Sequence, residues 1–242
     1  MSFAFIFGYA VFTQSGYFKT VHLNVEGCRT LDEKAVLAQA KLSHGLNIFS
    51  VNLSTTRKRL LAHPWISEAE VSREIPSGIH IRIKEHEPLA IIDINRKFLL
   101  NKQGVLFKEW EVIDPVNLPV VDGLAFSDLN VGARPYSQPF NAVMTVLKLG
   151  QNKGSILTNK EIRKIEVDKD IGLTIYTSNS LGALKLGYDD YPSKYQRLKE
   201  VLFYLQKNQN LPILKSIDLN NPNRIVVDLN LEKQPATGHK EV

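Results

Sequence analysis

Glu85 and Glu87 are the pair in this chain whose spacing comes nearest to acid–base chemistry. Residues two apart on a strand project to one face, about 6.6 Å apart at roughly 3.3 Å per residue. Two carboxylates at that distance can work as a pair, but a solvated strand end beside Pro88 accounts for them equally well. His80 and His86 share a strand face at a separation of about 20 Å, too far to chelate one metal ion. His22, His44 and His63 fall in separate elements, where surface or capping roles suffice. Cys28, the single cysteine, follows Gly27 at a strand-to-helix turn. It has no partner for an intrachain disulfide and no adjacent base to generate its thiolate, so it reads as a small turn residue. Asp189-Asp190 ahead of Pro192 reads as helix capping. Gly-x-Ser-x-Gly, a phosphate loop, paired cysteines and His-Glu-x-x-His are all missing from the sequence. No cofactor site and no catalytic constellation is expected; a binding surface is.

The net charge of +5 is dispersed, with 10 Lys/Arg against 8 Asp/Glu over residues 18–87. Nucleic-acid binders concentrate basic residues on one face, so this distribution argues against such a partner. Arg57-Lys58-Arg59, the densest basic run, fits a solvated helix face; contact with anionic headgroups or an acidic partner is the functional alternative.

The elements that must position these residues are legible. Ile66–Ile75 and Ile79–Glu87 are two β-patterned runs joined by Pro76-Ser77-Gly78, a turn in which Pro pre-sets φ and Gly permits reversal. Ile79, Ile81 and Ile83 alternate with His80, Arg82 and Lys84, the period-2 pattern of a half-buried strand. Thr30 and Glu33, three apart before Val36, Leu37 and Ala40, carry a capping-box signature. A second helix is expected over Leu53–Ala62, ending before Pro64. With a strand at Val21–Gly27, the order is β-α-α-β-β.

The series Val25-Glu26-Gly27, Gly45-Leu46-Asn47-Ile48-Phe49, His63-Pro64-Trp65-Ile66 through Ile75-Pro76, and Glu85-His86-Glu87-Pro88 resembles the POTRA domain of the FtsQ/DivIB cell-division family. Ser216-Ile217-Asp218-Leu219-Asn220 resembles that family's last shared stretch, so the likeness covers roughly residues 18 to 230. It implies an α+β fold, membrane-anchored, with a POTRA domain at 18–87 and an FtsQ-type β domain at 88–230. That second domain would be a mixed sheet with two helices, growing directly out of the POTRA sheet. Its helices are expected from Ser137-Gln138-Pro139 to Gly150 and from Pro192 through Leu205, among short strands. Residues 231–242 read as a disordered tail.

Ser2–Phe12 is almost wholly apolar and, at about 1.5 Å per residue, spans roughly 16 Å, half of a hydrocarbon core. Residues 1–17 are therefore expected to hold the outer part of one transmembrane helix and a linker; a buried N-terminal helix or strand is the alternative. The resemblance favours the membrane: an inner-membrane, single-pass protein with its bulk in the periplasm, acting at the division septum.

Ile225, Val227 and Leu229 alternate with Val226, Asp228 and Asn230, a strand that could form a sheet edge open to a partner strand. A strand paired on both sides, or an edge guarded by its charges, fits the same pattern. The resemblance implies an open edge over Asn223, Arg224, Ile225, Val226, Val227, Asp228 and Leu229 that receives FtsB-like (DivIC-like) and FtsL-like bitopic partners. Lys169 matches a basic position facing an acidic partner residue, and Asn220-Asn221 replaces the family's usual basic-aromatic pair. Other division proteins would dock on the POTRA domain. The function implied is a non-enzymatic scaffold linking early and late septum-assembly proteins. A POTRA-type chaperone for outer-membrane or secreted proteins is the alternative; it predicts repeated POTRA units or a strand-rich barrel, and the sequence carries neither signal.

Overall fold

The computed structural model describes residues 18–114, 117–129, 137–179, 181–207 and 214–229. The expected membrane segment and C-terminal tail lie outside these residues. The chain divides into two compact units, Met1–Glu87 and Pro88–Val242.

The first unit runs β1 (His22–Glu26), α1 (Glu33–Ala40), α2 (Leu53–Leu61), β2 (Ile66–Glu74), β3 (Gly78–Glu85). The strand order is β1-β3-β2, with β1 parallel and β2 antiparallel to β3. The alternation in β3 has the expected consequence. Ile79, Ile81 and Ile83 are buried with Val25 and Ala69 in a core shared with Val36, Ala40 and Leu60 of the helices. The other face is a ladder of cross-strand charges: Lys84 reaches Glu68 at 2.8 Å, and Arg82 lies 3.4 Å from Glu26 and 3.7 Å from Glu70.

Two local expectations are corrected. The Thr30/Glu33 capping box does not form: α1 starts at Glu33, its N-cap is Asp32, and no side chain caps it. The Thr30 amide is taken instead by the Glu85 carboxylate, with those of Arg29 and Leu31, at 2.8–3.1 Å. In the β2–β3 turn the Ile75–Pro76 peptide is cis. Gly78 is required there for space: a Cβ would stand 2.9 Å from the Glu74 Cβ.

The second unit comprises β4 (Pro88–Asp93), β5 (Lys97–Asn101), β6 (Leu106–Glu109), β7 (Val120–Asp122), α3 (Phe126–Leu129), α4 (Gln138–Leu149), β8 (Ile162–Asp168), β9 (Gly172–Thr177), β10 (Ala183–Gly187), α5 (Tyr191–Lys207), β11 (Leu214–Asp218) and β12 (Val226–Leu229). These strands make one nine-stranded sheet in the order β12-β11-β10-β9-β8-β7-β4-β5-β6. It is a separate sheet, not an extension of the first: His86 gives its N–H to the Trp65 carbonyl, and Pro88 brings no N–H to a ladder. Parallel neighbours need crossovers; α5 lies between the parallel pair β10 and β11, and α3 and α4 between β7 and β8. Ser137 caps α4, accepting from the Phe140 amide, and Pro139 sits in the first turn, as the sequence suggests. Phe140, Val143 and Leu147 of α4 and Leu198 of α5 are buried with Ile165, Ile175, Leu184 and Ile217 of the sheet. The four-residue α3 is too short to leave a helical period and was not expected from the sequence.

Candidate partner-binding edge

The β11–β12 hairpin ends the larger sheet. In register, Asp218 faces Val226, Ile217 faces Val227 and Ser216 faces Asp228, with a bulge before Leu214 and Leu229. Among the described strands β12 pairs with β11 alone. In an antiparallel pair alternate residues turn their N–H and C=O groups away from the partner, so β12 presents such groups outward. Ile225 and Val227 pack against the core, whereas Val226 and Leu229 remain 44% and 41% exposed. Asp228 meets Lys215 at 3.7 Å across the hairpin.

Polar residues hold the hairpin in place. The Asn221 side chain accepts from the Asn223 amide at 2.9 Å, closing the turn, and the Asp218 carboxylate accepts from the Asn220 amide at 2.9 Å. Arg197 of α5 donates to the Asn221 carbonyl at 2.8 Å and to the Leu219 carbonyl at 3.4 Å. Asn220 packs its side chain on Gly187, where a Cβ would stand 2.1 Å from the amide oxygen; Gly187 also has φ of 63°, so no other residue fits comfortably. Asn220 and Asn221 thus shape the hairpin of this chain. Asp218, Asn220, Asn221, Pro222, Arg224 and Val226 line an open hollow of about 500 Å³ beside β12.

On α5, Lys194 is buried. Its Nζ donates to the carbonyls of Leu186, Tyr188 and Asp189 at 2.6–2.9 Å, tying the β10–α5 turn to the helix. Burial pulls its pKa below the ordinary lysine value, and Asp189 and Asp190 draw it partly back. The two aspartates have φ of 62° and 47°. Asp190 contributes its carbonyl to the Lys194 amide, so it serves the helix start through its backbone. Sequence reading missed both Arg197 and Lys194: a basic residue on a helix shows its acceptors only once the turns beneath it are placed.

Lys169 lies in the β8–β9 turn, at the same end of the sheet as Asn223 and Arg224, because Asp168 pairs with Gly172, Leu173 with Gly187, and Lys185 with Asp218. It does not adjoin them. Four strand spacings separate β8 from β12, about 19 Å. Its ammonium stands 3.4 Å from the carboxylate of buried Asp128, which also accepts from the Ala125 amide at 2.8 Å. The amides of Ile171 and Asp170 hold the neighbouring Asp168 carboxyl below its ordinary value.

The acid–base candidates separate. Glu85 is buried, not a solvated strand end. Burial pushes its carboxyl up, but the three backbone amides outweigh this and hold it below its ordinary value. Glu87 pairs with Arg29 outside the strand. Burial raises the Cys28 thiol, and Glu85, Glu33 and Asp32 raise it further, the reverse of thiolate activation. His80 lies 3.6 Å from Glu26 and 3.8 Å from Glu74. Among the described residues, no group of three His, Cys, Asp or Glu side chains could hold a metal ion.

Residues 18–86 match the family model of the POTRA domain, FtsQ-type, and residues 90–220 that of the cell division protein FtsQ/DivIB, C-terminal. The chain belongs to the FtsQ/DivIB family of cell-division proteins. It is 31% identical to the cell division protein FtsQ of Syntrophotalea carbinolica over 89% of this chain and 75% of that protein. The FtsQ of Geotalea daltonii is 28% identical over 90% of this chain and 78% of its own length. The DivIB of Clostridium tetani is 27% identical over 50% of this chain and 46% of the relative. The C-terminal family match ends at residue 220, so the seven β12-region residues lie beyond it, whereas Lys169 lies inside.

Proposed function

We propose that this FtsQ/DivIB-family chain is a non-enzymatic scaffold of the division machinery, and that β12 is where it captures a bitopic partner of the FtsB/DivIC and FtsL kind. An extended segment of the partner adds as a further strand, taking the outward N–H and C=O groups of β12 for affinity. Val226 and Leu229 supply apolar contact, and the hollow beside Arg224 takes a partner side chain. Asn223, Arg224, Ile225, Val226, Val227, Asp228 and Leu229 form this strip. Lys169, about 19 Å away, contributes only to a partner long enough to cross the sheet end. The single observation that carries the proposal is the position of β12, last in the sheet with exposed apolar residues.

The anchor is proposed within residues 1–17, placing the chain in the inner membrane with its body in the periplasm, at the septum; further division proteins dock on the POTRA unit. Among the described residues, no helix is long and apolar enough to cross a membrane. Depleting the protein in its host tests the function. Long, unseptated filaments with normal outer-membrane barrels are expected. Normal cell length with lost barrels would instead favour the chaperone reading.

A further inference from the structure

Three segments of the first unit meet at one pole. Thr20, buried, donates its amide to the Leu46 carbonyl at 2.7 Å and accepts from the Gly45 amide at 3.0 Å; its hydroxyl reaches the Leu46 and Ser43 carbonyls. The next residue, Val21, donates to the Ser77 carbonyl at 2.9 Å. The incoming chain, the loop after α1 and the β2–β3 turn are thereby pinned together.

This pole exposes three large apolar side chains among polar ones. Ile75 is 74% exposed, Val21 60% and Leu46 36%. Around them stand Lys19 and Lys41, both exposed, and Lys41 lines a hollow of about 250 Å³ together with Leu46. Segments 19–22, 41–47 and 75–77 contain no Asp or Glu. Glu74, the nearest acid in sequence, faces His80 at 3.8 Å. The opposite character is found on the outer sheet face, where Glu68, Glu70, Arg82 and Lys84 are paired with one another.

We propose that this pole rests on the bilayer surface, with Val21, Leu46 and Ile75 in the headgroup layer and Lys19 and Lys41 on anionic lipid headgroups. This rests on the reading that the apolar run Ser2–Phe12 lies in the membrane. Five residues, Thr13 to Tyr17, separate that run from Phe18. Fully extended they reach about 18 Å, so the pole stays within that order of distance of the bilayer. An apolar cluster rimmed by lysines, with no acid among its segments, matches an anionic lipid surface, where each lysine strengthens partitioning about fivefold. The contact limits the tilt of the first unit relative to the membrane.

The test uses the full chain with a label at Ile75→Cys, in a Cys28→Ser background that thermal melting shows to be folded. A label at Val21→Cys gives a second report from the pole, and one at Ser72→Cys, on the outer sheet face, serves as control. An N-terminal His tag tethers the chain to phosphatidylglycerol–phosphatidylethanolamine vesicles carrying a nickel-chelating lipid and a headgroup-level quencher lipid. Quenching at positions 75 and 21 but not 72 is expected. Lys19→Glu with Lys41→Glu, or uncharged phosphatidylcholine in place of phosphatidylglycerol, should lower the partitioning that it reads about 25-fold. Equal quenching at all three positions, or none at 75 and 21, overturns the proposal and leaves the pole to a protein partner. Flotation of the untagged chain with the same vesicles reads the anchor separately. A chain that floats but shows no quenching at the pole refutes the surface contact alone; one that quenches only when tethered refutes the anchor alone.

Discussion

β2 and β12 are both terminal strands of their sheets, yet they meet solvent in opposite ways. β2 is nine residues long and places Glu68, Glu70 and Glu74 among its exposed positions. Arg57 of α2 donates to the Ala69 carbonyl at 2.8 Å, taking a group that an incoming strand would need. Length alone would make β2 the better template for a partner, but its charges and this arginine close it. β12 has four residues, a single ion pair and two exposed apolar side chains. Openness of an edge is thus decided by what covers its backbone, and among the described strands the short β12 carries less cover than β2, in keeping with the proposed capture there.

The largest expected effect falls on the closed unit. Glu85→Ala leaves three amides without their acceptor and should cost about 2–4 kcal/mol, read by thermal or denaturant melting of the first unit. Capture at β12 should remain; its loss would mean that the two units are coupled. The same carboxylate sets an acid dependence. Its folded pKa is lower than the ordinary 4.5, so its contribution is complete above that value and disappears as pH falls through the folded one. Urea melts from pH 7 downward should show this slope in the wild type and a flatter one in the variant.

Next in size, Val226→Pro should weaken partner capture about tenfold or more, because proline removes a donor and distorts a short strand. Calorimetry against the partner's periplasmic segment checks it. Unchanged affinity in a folded variant would remove strand addition from the mechanism.

Arg57→Met should free the Ala69 carbonyl and lower stability by about 1 kcal/mol. If the arginine is what closes β2, self-association should rise with it in sedimentation; an unchanged monomer would assign the closure to the glutamates alone. Smallest is Lys169→Ala. The exposed lysine gives its Asp128 pair at most about 0.5–1 kcal/mol, so melting should barely change. A clear loss of partner affinity with unchanged melting would extend the binding site across the sheet end.

Local patterns carried far. The period-2 alternation of Ile79, Ile81 and Ile83 placed a half-buried strand, and Ser137 with Pro139 marked where α4 begins. A strand was legible around Val226 to Leu229, because alternation is a property of neighbours in sequence. The capping box at Thr30 and Glu33 misled for the complementary reason. The Thr30 amide is held by Glu85, more than fifty residues away, through a contact no local pattern encodes.

By itself, then, the sequence determined the longer elements, the family and the alternation of buried and exposed positions along β3, since these depend on spacing along the chain. Only the tertiary structure decided that β12 comes last among the described strands while β10 lies inside the sheet, that Lys169 meets Asp128, and that Arg197 clamps the hairpin. Each depends on which strand or turn lies next in space, and that order arises from non-local pairing and packing of the sheet.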